Sequence, residues 1–147
     1  MDIKERLMED LKLSMKEKDT VKKNAVQSTR AAILQYEKDN KVTLSDDEVI
    51  VVIAKEVKKR KDALPDYEKS GREDLIADLK REIEVLTAYL PSQLSKEELE
   101  EIVVECIKKV DAQSMKDMGK IMAEVMPKVQ GRADGRAVNE IVKSYFA

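Results

Sequence analysis

Apolar residues recur every three or four positions along almost the whole chain, and this spacing constrains the fold more than any other feature. The pattern begins with Ile3, Leu7, Leu11 and Met15, which would share one face of a helix, whereas a strand would need strict alternation. Aromatic residues make up only 3% of the sequence, and aromatic residues are typical strand formers. The sequence therefore predicts an all-α fold.

Short motifs predict where individual helices begin and end. Three serine–glutamate pairs match the capping box, in which a hydroxyl and a carboxylate satisfy free backbone N–H groups: Ser45 with Glu48, Ser70 with Glu73, and Ser95 with Glu98. Pro65 lacks the N–H that would bond to residue 61, so we expect it to kink or end the third helix. Pro91 is expected to stop the fourth helix.

A domain boundary is predicted between Leu90 and Ser95. Pro91 ends one helix there, a new cap starts another, and each side of the boundary has its own apolar stripes. We therefore expect an N-terminal bundle of about four helices over residues 1–92 and a small three-helix tail over residues 93–147.

The overall charge excludes a global electrostatic preference for nucleic acid or membrane. There are 28 basic and 30 acidic side chains, a net charge of −2, so attraction to DNA, RNA or an anionic surface would have to be local. No apolar run approaches the roughly 18 residues of a membrane span, and the amino terminus lacks an apolar signal core. We expect a cytoplasmic protein with no membrane or DNA partner, and its oligomeric state stays open.

The side chains that usually carry catalysis are scarce. The chain has no histidine, which removes the commonest general base and the commonest zinc ligand. Cys106 lies on an apolar helical stripe and is expected to be a buried hydrophobe. The glutamates at positions 97–105 begin a helix, where carboxylates match the helix dipole, and no nucleotide-binding motif is present. We predict no catalytic residue, metal ligand or cofactor.

Basic residues form two clusters that could contact an anionic partner. In the first, residues 55–61 (KEVKKRK), Lys58 and Lys59 point away from the apolar face of their helix. The second cluster surrounds a joint rich in glycine and arginine at residues 126–142 (MPKVQGRADGRAVNEIV). Its candidate nucleic-acid contacts are Lys120, Lys128, Arg132 and Arg136.

The same joint also has a purely structural interpretation. Asp134, as the N-cap of the last helix, would occupy the N–H groups that a phosphate needs. Gly131 can end the preceding segment in a left-handed conformation, and Gly135 suits a tight helix start. Arg132 and Arg136 need no role in such a corner. The sequence leaves open whether the joint is a corner or a contact surface.

Three stretches together resemble the GatB/YqeY family, and they run in order through most of the chain: KKRKDALPDYEKSGREDL, YLPSQLSKEEL and DMGKIMAEVMPKVQGRADGRAVNEIV. The family's carboxy-terminal part is similar to the tail domain of the B subunit of glutamine-dependent aminoacyl-tRNA amidotransferase. That resemblance implies a helical bundle followed by a three-helix tail, and a tail that helps to hold tRNA.

The functional expectation from the resemblance is an accessory module that binds tRNA or a tRNA-handling protein. The family label also implies a carbon–nitrogen ligase with glutamine as amido-N-donor, but no glutamine-hydrolysing nucleophile or ATP site is evident, so we expect no catalysis by this chain alone. The alternative is a protein–protein adaptor without nucleic-acid contact. Its docking surface could be formed by Met115, Met118, Met122 and Met126, although Met118 and Met122 could equally fill the core of the tail.

Overall fold

The computed structural model describes all residues, 1–147, and every regular element is a helix, so the all-α prediction is confirmed. Seven α-helices and one 3-10 turn, Met115–Asp117, form two compact units, Met1–Leu90 and Pro91–Ala147. The helices are α1 (Ile3–Glu17), α2 (Thr20–Asn40), α3 (Asp46–Ser70), α4 (Glu73–Thr87), α5 (Lys96–Lys109), α6 (Met118–Val129) and α7 (Gly135–Phe146). Whether the units fold independently, with the predicted boundary between residues 92 and 93, stays a prediction.

The first unit is built from α1 to α4 around a core of aliphatic side chains. The predicted capping box of α3 forms between Ser45 and Glu48, and Asp19 caps α2 by accepting from the backbone N–H of Lys22. The fully buried side chains include Leu7, Val26, Val49, Ile53 and Leu86. Leu7 belongs to the stripe that the sequence predicts for α1, whereas Met15, at the end of that stripe, is exposed.

Two sequence signals in the joint between α3 and α4 turn out differently. Of the two outcomes predicted for Pro65, the end of the helix is wrong, because α3 continues to Ser70 while packing along α4, and a kink stays a prediction. Ser70 does not cap α4: its hydroxyl donates to the carbonyl oxygen of Tyr67 at 2.6 Å, and the N-cap of α4 is Arg72, which makes no side-chain capping bond. The reason is Gly71, whose φ of 71° ends α3 in the left-handed conformation and moves the next helix start beyond Ser70.

A polar network crosses the first unit between α2, α3 and α4. Arg60 donates to Glu56 on its own helix and, at 2.9 Å, to the hydroxyl of Ser28 on α2. The same guanidinium lies 3.5 Å from a carboxylate oxygen of Glu82 on α4. Glu56 is buried, and Lys59 also pairs with it. The carboxylate of Glu56 is therefore buried next to cationic side chains, which offset the cost of removing its charge from water.

The second unit packs α5, α6 and α7 around its own apolar core. Ser95 and Glu98 form the predicted capping box of α5, and Asp134 caps α7 by accepting from the N–H of Ala137 at 2.8 Å. The core consists of nine buried side chains: Leu99, Val103, Cys106, Ile107, Ile121, Val125, Val129, Val138 and Val142. Three methionines of α6 pack partly buried against it: Met118, Met122 and Met126.

Candidate functional site

The joint between α6 and α7 is closed by hydrogen bonds to the segment that precedes α5. The N–H of Leu94 donates to the carbonyl oxygen of Arg132 at 3.0 Å, and the side-chain amide of Gln93 donates to the carbonyl oxygen of Gly131 at 2.9 Å. Arg132 Nε donates to the carbonyl oxygen of Ser92 at 3.0 Å. Gly131 takes a φ of 75°, as predicted. The joint is therefore at least a structural corner.

The expectation that this corner needs neither arginine is wrong for Arg132. Its half-buried side chain joins residues 92 and 132, a contact that sequence spacing could not reveal because the partner is a backbone carbonyl forty positions away. Arg136 is exposed in the first turn of α7. Gly135 has room for a methyl group, because an added Cβ would make only an ordinary contact with Met122. Its predicted conformational role is thus not required.

Two of the predicted contact residues, Lys120 and Lys128, lie on the exposed face of α6 with Glu124 between them. Packing of α5 on α6 adds Lys109, whose Nζ lies 2.6 Å from a carboxylate oxygen of Glu124. Lys128 lies 3.6 Å from the same oxygen. The structure thus brings Lys109 and Lys128 to Glu124, and Lys120 lies one turn earlier on the same face of α6, near Asp117. These three lysines are here named the lysine cluster.

Electrostatics within the lysine cluster follow from its short ion pair. The hydrogen bond from Lys109 lowers the pKa of Glu124, and Lys128 lowers it further. The reciprocal hydrogen bond raises the pKa of Lys109. Lys109 and Glu124 are therefore both held in their charged forms. Lys120 in turn helps to lower the pKa of Asp117, after the backbone hydrogen bond from Gln113, so the lysines of this surface face two carboxylates. Sequence reasoning missed Lys109, although its position among the basic residues of the last turn of α5 was visible.

The two other predicted residues, Lys58 and Lys59, lie on α3 in the first unit. Both are exposed, as their helical position predicts, and Lys59 Nζ is 3.1 Å from a carboxylate oxygen of Glu56. They therefore belong to a different compact unit from the lysine cluster, and they form a separate basic patch on α3.

A groove of about 720 Å³ runs between α5 and α7 in the second unit. Its floor is apolar, and its lining residues include Leu99, Val104, Ala137, Ile141 and Tyr145. One wall continues into a row of carboxylates on α5, Glu97, Glu100, Glu101 and Glu105, here named the carboxylate edge. Val104 and Glu100 line both the groove and this edge, so the two features form one continuous surface.

Cys106 is fully buried in the core of the second unit, which confirms the expectation that it is a structural hydrophobe. Cysteine and carboxylate side chains nowhere converge in a group of three that could hold a metal ion. None of the helices combines the length and apolar character that crossing a membrane requires.

These features define a small all-α protein of two helical units with charged surface patches and an open groove. Residues 4–146 match the family described as Yqey-like protein. The chain belongs to this YqeY-like family, which confirms the resemblance read from its sequence motifs.

Curated relatives share the name "Altered inheritance of mitochondria protein 41, mitochondrial". The protein from Vanderwaltozyma polyspora is 34% identical over 87 residues, which cover 58% of this chain and 47% of the relative. The Kluyveromyces lactis protein is 34% identical over 105 residues, 69% of this chain and 56% of the relative. The match thus spans only about half the length of these relatives. Because their names place them in mitochondria, the cytoplasmic location expected for this chain stays a prediction.

Proposed function

We propose that the protein is an accessory module that binds tRNA, with the lysine cluster as its main contact surface. The observation that carries the proposal is that Lys109 of α5 and Lys128 of α6 meet at Glu124, with exposed Lys120 on the same face of α6. Ammonium groups at this spacing suit phosphate oxygens of an RNA backbone, which dominate the affinity of such complexes. The resemblance of the family's tail to a tRNA-holding domain supports tRNA as the RNA.

The geometry predicts weak, salt-sensitive binding. Glu124 already pairs with Lys109 and Lys128, so a phosphate must compete with a carboxylate for both. Arg132 is partly engaged by the carbonyl oxygen of Ser92, and Lys59 pairs with Glu56. Exposed Arg136, Lys58 and Lys59 are proposed as additional contacts. With roughly four to six phosphate contacts, affinity should fall by orders of magnitude between about 50 and 200 mM salt.

The test is a fluorescence titration of labelled tRNA at those two salt concentrations. Wild type should bind at low salt, and replacing Lys120 and Lys128 together by glutamine should lower the salt-dependence slope by about 1.5 units. The matched control replaces Lys12 and Lys16, two exposed lysines of α1, and should bind like wild type. Absence of tRNA binding at low salt would rule out the proposal.

A protein–protein adaptor is the second candidate, and the groove between α5 and α7 is the observation that favours it. The methionines do not supply the docking surface considered from the sequence, because Met118, Met122 and Met126 pack against the core of the second unit. Met115 alone of the four is exposed. In this alternative, the partner would be a tRNA-handling or other protein, and tRNA itself would not bind.

We do not propose that this chain alone transfers an amide group. Its single thiol, Cys106, is fully buried and so cannot reach a glutamine substrate without unfolding of the second unit. Ammonia release from glutamine by the purified protein, lost in Cys106→Ala, would reverse this conclusion. The carbon–nitrogen ligase association of the wider family would then apply to this chain directly.

A further inference from the structure

The α5–α7 groove leaves apolar surface exposed, because its lining residues Ala137 and Ile141 pack against the core of the second unit but are only partly covered. Tyr145 is 46% exposed, and Val104 and Ile141 are only half-buried. The segment before α5 is bonded to the segment before α7 through Leu94 and Arg132, so both helices begin at the same end of the groove. Two helices that start at the same end and leave an apolar groove between them can bind a further helix in that groove, as in helix-in-groove recognition.

The carboxylate edge of the groove is not explained by the folding of α5. The helix dipole favours acidic residues in the first turn, which accounts for Glu97 but not for Glu101 or Glu105. Glu97, Glu101 and Glu105 are spaced four residues apart, a spacing at which like charges destabilise a helix. None of the edge carboxylates takes part in an ion pair. Lys108 is the one cation that lines this edge, and it forms no ion pair with the carboxylates. The edge therefore keeps an excess of negative charge that the chain itself does not pair.

We propose that the α5–α7 groove binds an amphipathic helix of a partner protein whose apolar face enters the groove and whose lysines or arginines pair with the carboxylate edge. Charge selects this occupant: Glu140 adds a carboxylate on the α7 side. The basic lining residues, Lys96 and Arg132, lie at the end where the helices begin, and Arg132 is already bonded to Ser92. An RNA backbone would meet net repulsion along this edge.

This inference goes beyond the tRNA proposal and does not depend on it. The lysine cluster lies where α5 meets α6, whereas the groove lies between α5 and α7. A protein could therefore hold RNA with one face and a basic helix with the other. Either surface can fail its test without changing the result for the other.

The probe is a fluorescein-labelled synthetic peptide of 18 residues (roughly five helical turns), with leucines on one helical face and lysines on the rest. Two control peptides accompany it: a scrambled sequence of the same composition, and an analogue with every lysine replaced by glutamate. Anisotropy titration against the full chain should show the basic amphipathic peptide binding at least about tenfold more tightly than either control. Amide chemical shifts should change at Val104, Ala137 and Ile141.

Variants then separate the two components of the site. Glutamine at positions 97, 100, 101 and 105 should weaken binding of the basic peptide at least about tenfold and flatten its salt dependence. The matched control makes the same charge change in the first unit, at the exposed residues Glu9, Glu17, Glu68 and Glu84, and should bind like wild type. Val104→Asn should weaken binding without changing the salt dependence.

Three outcomes would overturn the proposal. The scrambled peptide could bind wild type as tightly as the amphipathic one, which would reduce the effect to charge alone. The carboxylate-edge variant could bind like its matched control. Finally, tRNA rather than the basic peptide could shift the amide signals of Val104 and Ile141, which would make the groove an RNA site. Circular dichroism melting of each variant establishes that a loss of binding is not a loss of folding.

Discussion

Arg132 donates a hydrogen bond of 3.0 Å from Nε to the carbonyl oxygen of Ser92, forty residues earlier in the chain. With the bonds from Leu94 and Gln93 to residues 132 and 131, it fixes the segment after Pro91 to the corner between α6 and α7. An arginine in a basic joint thus has a structural role before any ligand is considered. A loss of RNA binding on its removal would be ambiguous unless stability is measured alongside.

Arg132→Ala should therefore lower the stability of the second unit by about 1 kcal/mol, the typical net value of one hydrogen bond. Lys143→Ala removes an exposed positive charge from α7 in the same unit and should change stability by less than about 0.5 kcal/mol. Urea unfolding followed by circular dichroism measures both. Equal midpoints for the two variants would show that the bond to Ser92 contributes nothing measurable.

Asp134→Ala should cost about 1 kcal/mol by removing the N-cap of α7. Its side chain accepts from the backbone N–H of Ala137 at 2.8 Å, and asparagine can make the same bond without the charge. Asp134→Asn should therefore retain most of the stability that Asp134→Ala loses, as judged by thermal unfolding. If both variants lose the same amount, the charge of Asp134 matters and the capping bond does not.

Local chemistry explains which parts of this fold the sequence could predict. The capping boxes at Ser45 and Ser95 depend only on residues within one turn, and both form. Ser70 and Glu73 match the same sequence motif, but no capping box forms there because Gly71 determines where α3 ends. A cap motif therefore predicts a helix start only when no stronger stop signal adjoins it.

Contacts between distant residues explain what the sequence could not predict about the candidate site. Lys109 reaches Glu124 only because α5 packs on α6, and Arg132 reaches Ser92 only because the corner closes. Helical periodicity places Lys120 and Lys128 on one face of α6 but cannot say which neighbouring helix lies beside them. The sequence therefore predicts which basic residues belong to the candidate site, whereas only the folded structure shows which residues they contact.

Pro65→Ala should stabilise the first unit, because Pro65 is exposed inside α3 and lacks the N–H that would bond to residue 61. Proline costs a helix interior about 3 kcal/mol relative to alanine, part of which its restriction of the unfolded chain offsets. We expect a gain of at least about 1 kcal/mol in urea unfolding. Pro91→Ala, outside any helix, is the control and should show no gain.

The stability of the first unit should depend on pH through Asp19. Hydrogen bonds from Arg81 and then from the backbone N–H of Lys22 lower the pKa of Asp19 in the folded state. A folded pKa below the unfolded value stabilises the protein above the ordinary aspartate pKa, near 4, and this contribution is lost as pH falls through the lowered value. Acidification below about pH 5 should therefore weaken the fold.

Asp19→Asn isolates that contribution, because asparagine can still cap α2 but cannot titrate. Wild type should be the more stable protein at pH 7, and the difference in urea midpoint should shrink toward pH 2. Glu17→Gln, at an exposed residue of α1, should show a smaller pH-dependent difference. If the difference in urea midpoint between wild type and Asp19→Asn is the same at both pH values, titration of Asp19 does not contribute to acid unfolding.

The predicted domain boundary can be tested by asking whether a fragment that begins there is destabilised by the loss of one carbonyl group, that of Ser92. The second unit has its own buried core, so a fragment of residues 91–147 should unfold cooperatively, although a chain of about 60 residues is only marginally stable. A fragment that begins at the predicted boundary, residue 93, retains the bond from Gln93 to Gly131 but lacks the carbonyl oxygen of Ser92 that accepts from Arg132.

Acetylation of the fragment 93–147 places a carbonyl group where that of Ser92 stood, since the acetyl group is bonded to the nitrogen of Gln93. We expect the acetylated fragment to melt roughly 4–8 °C above the free-amine fragment, the shift that about 1 kcal/mol produces in a domain of this size.

Acetylation also removes a positive charge from the terminus, so the acetylated and free-amine fragments are also compared in the Arg132→Ala variant. The acetyl group should have little effect there, because its carbonyl then has no guanidinium donor. An equal rise in melting temperature with and without Arg132 would assign the effect to the terminal charge, and the boundary at residue 93 would then cut no stabilising bond.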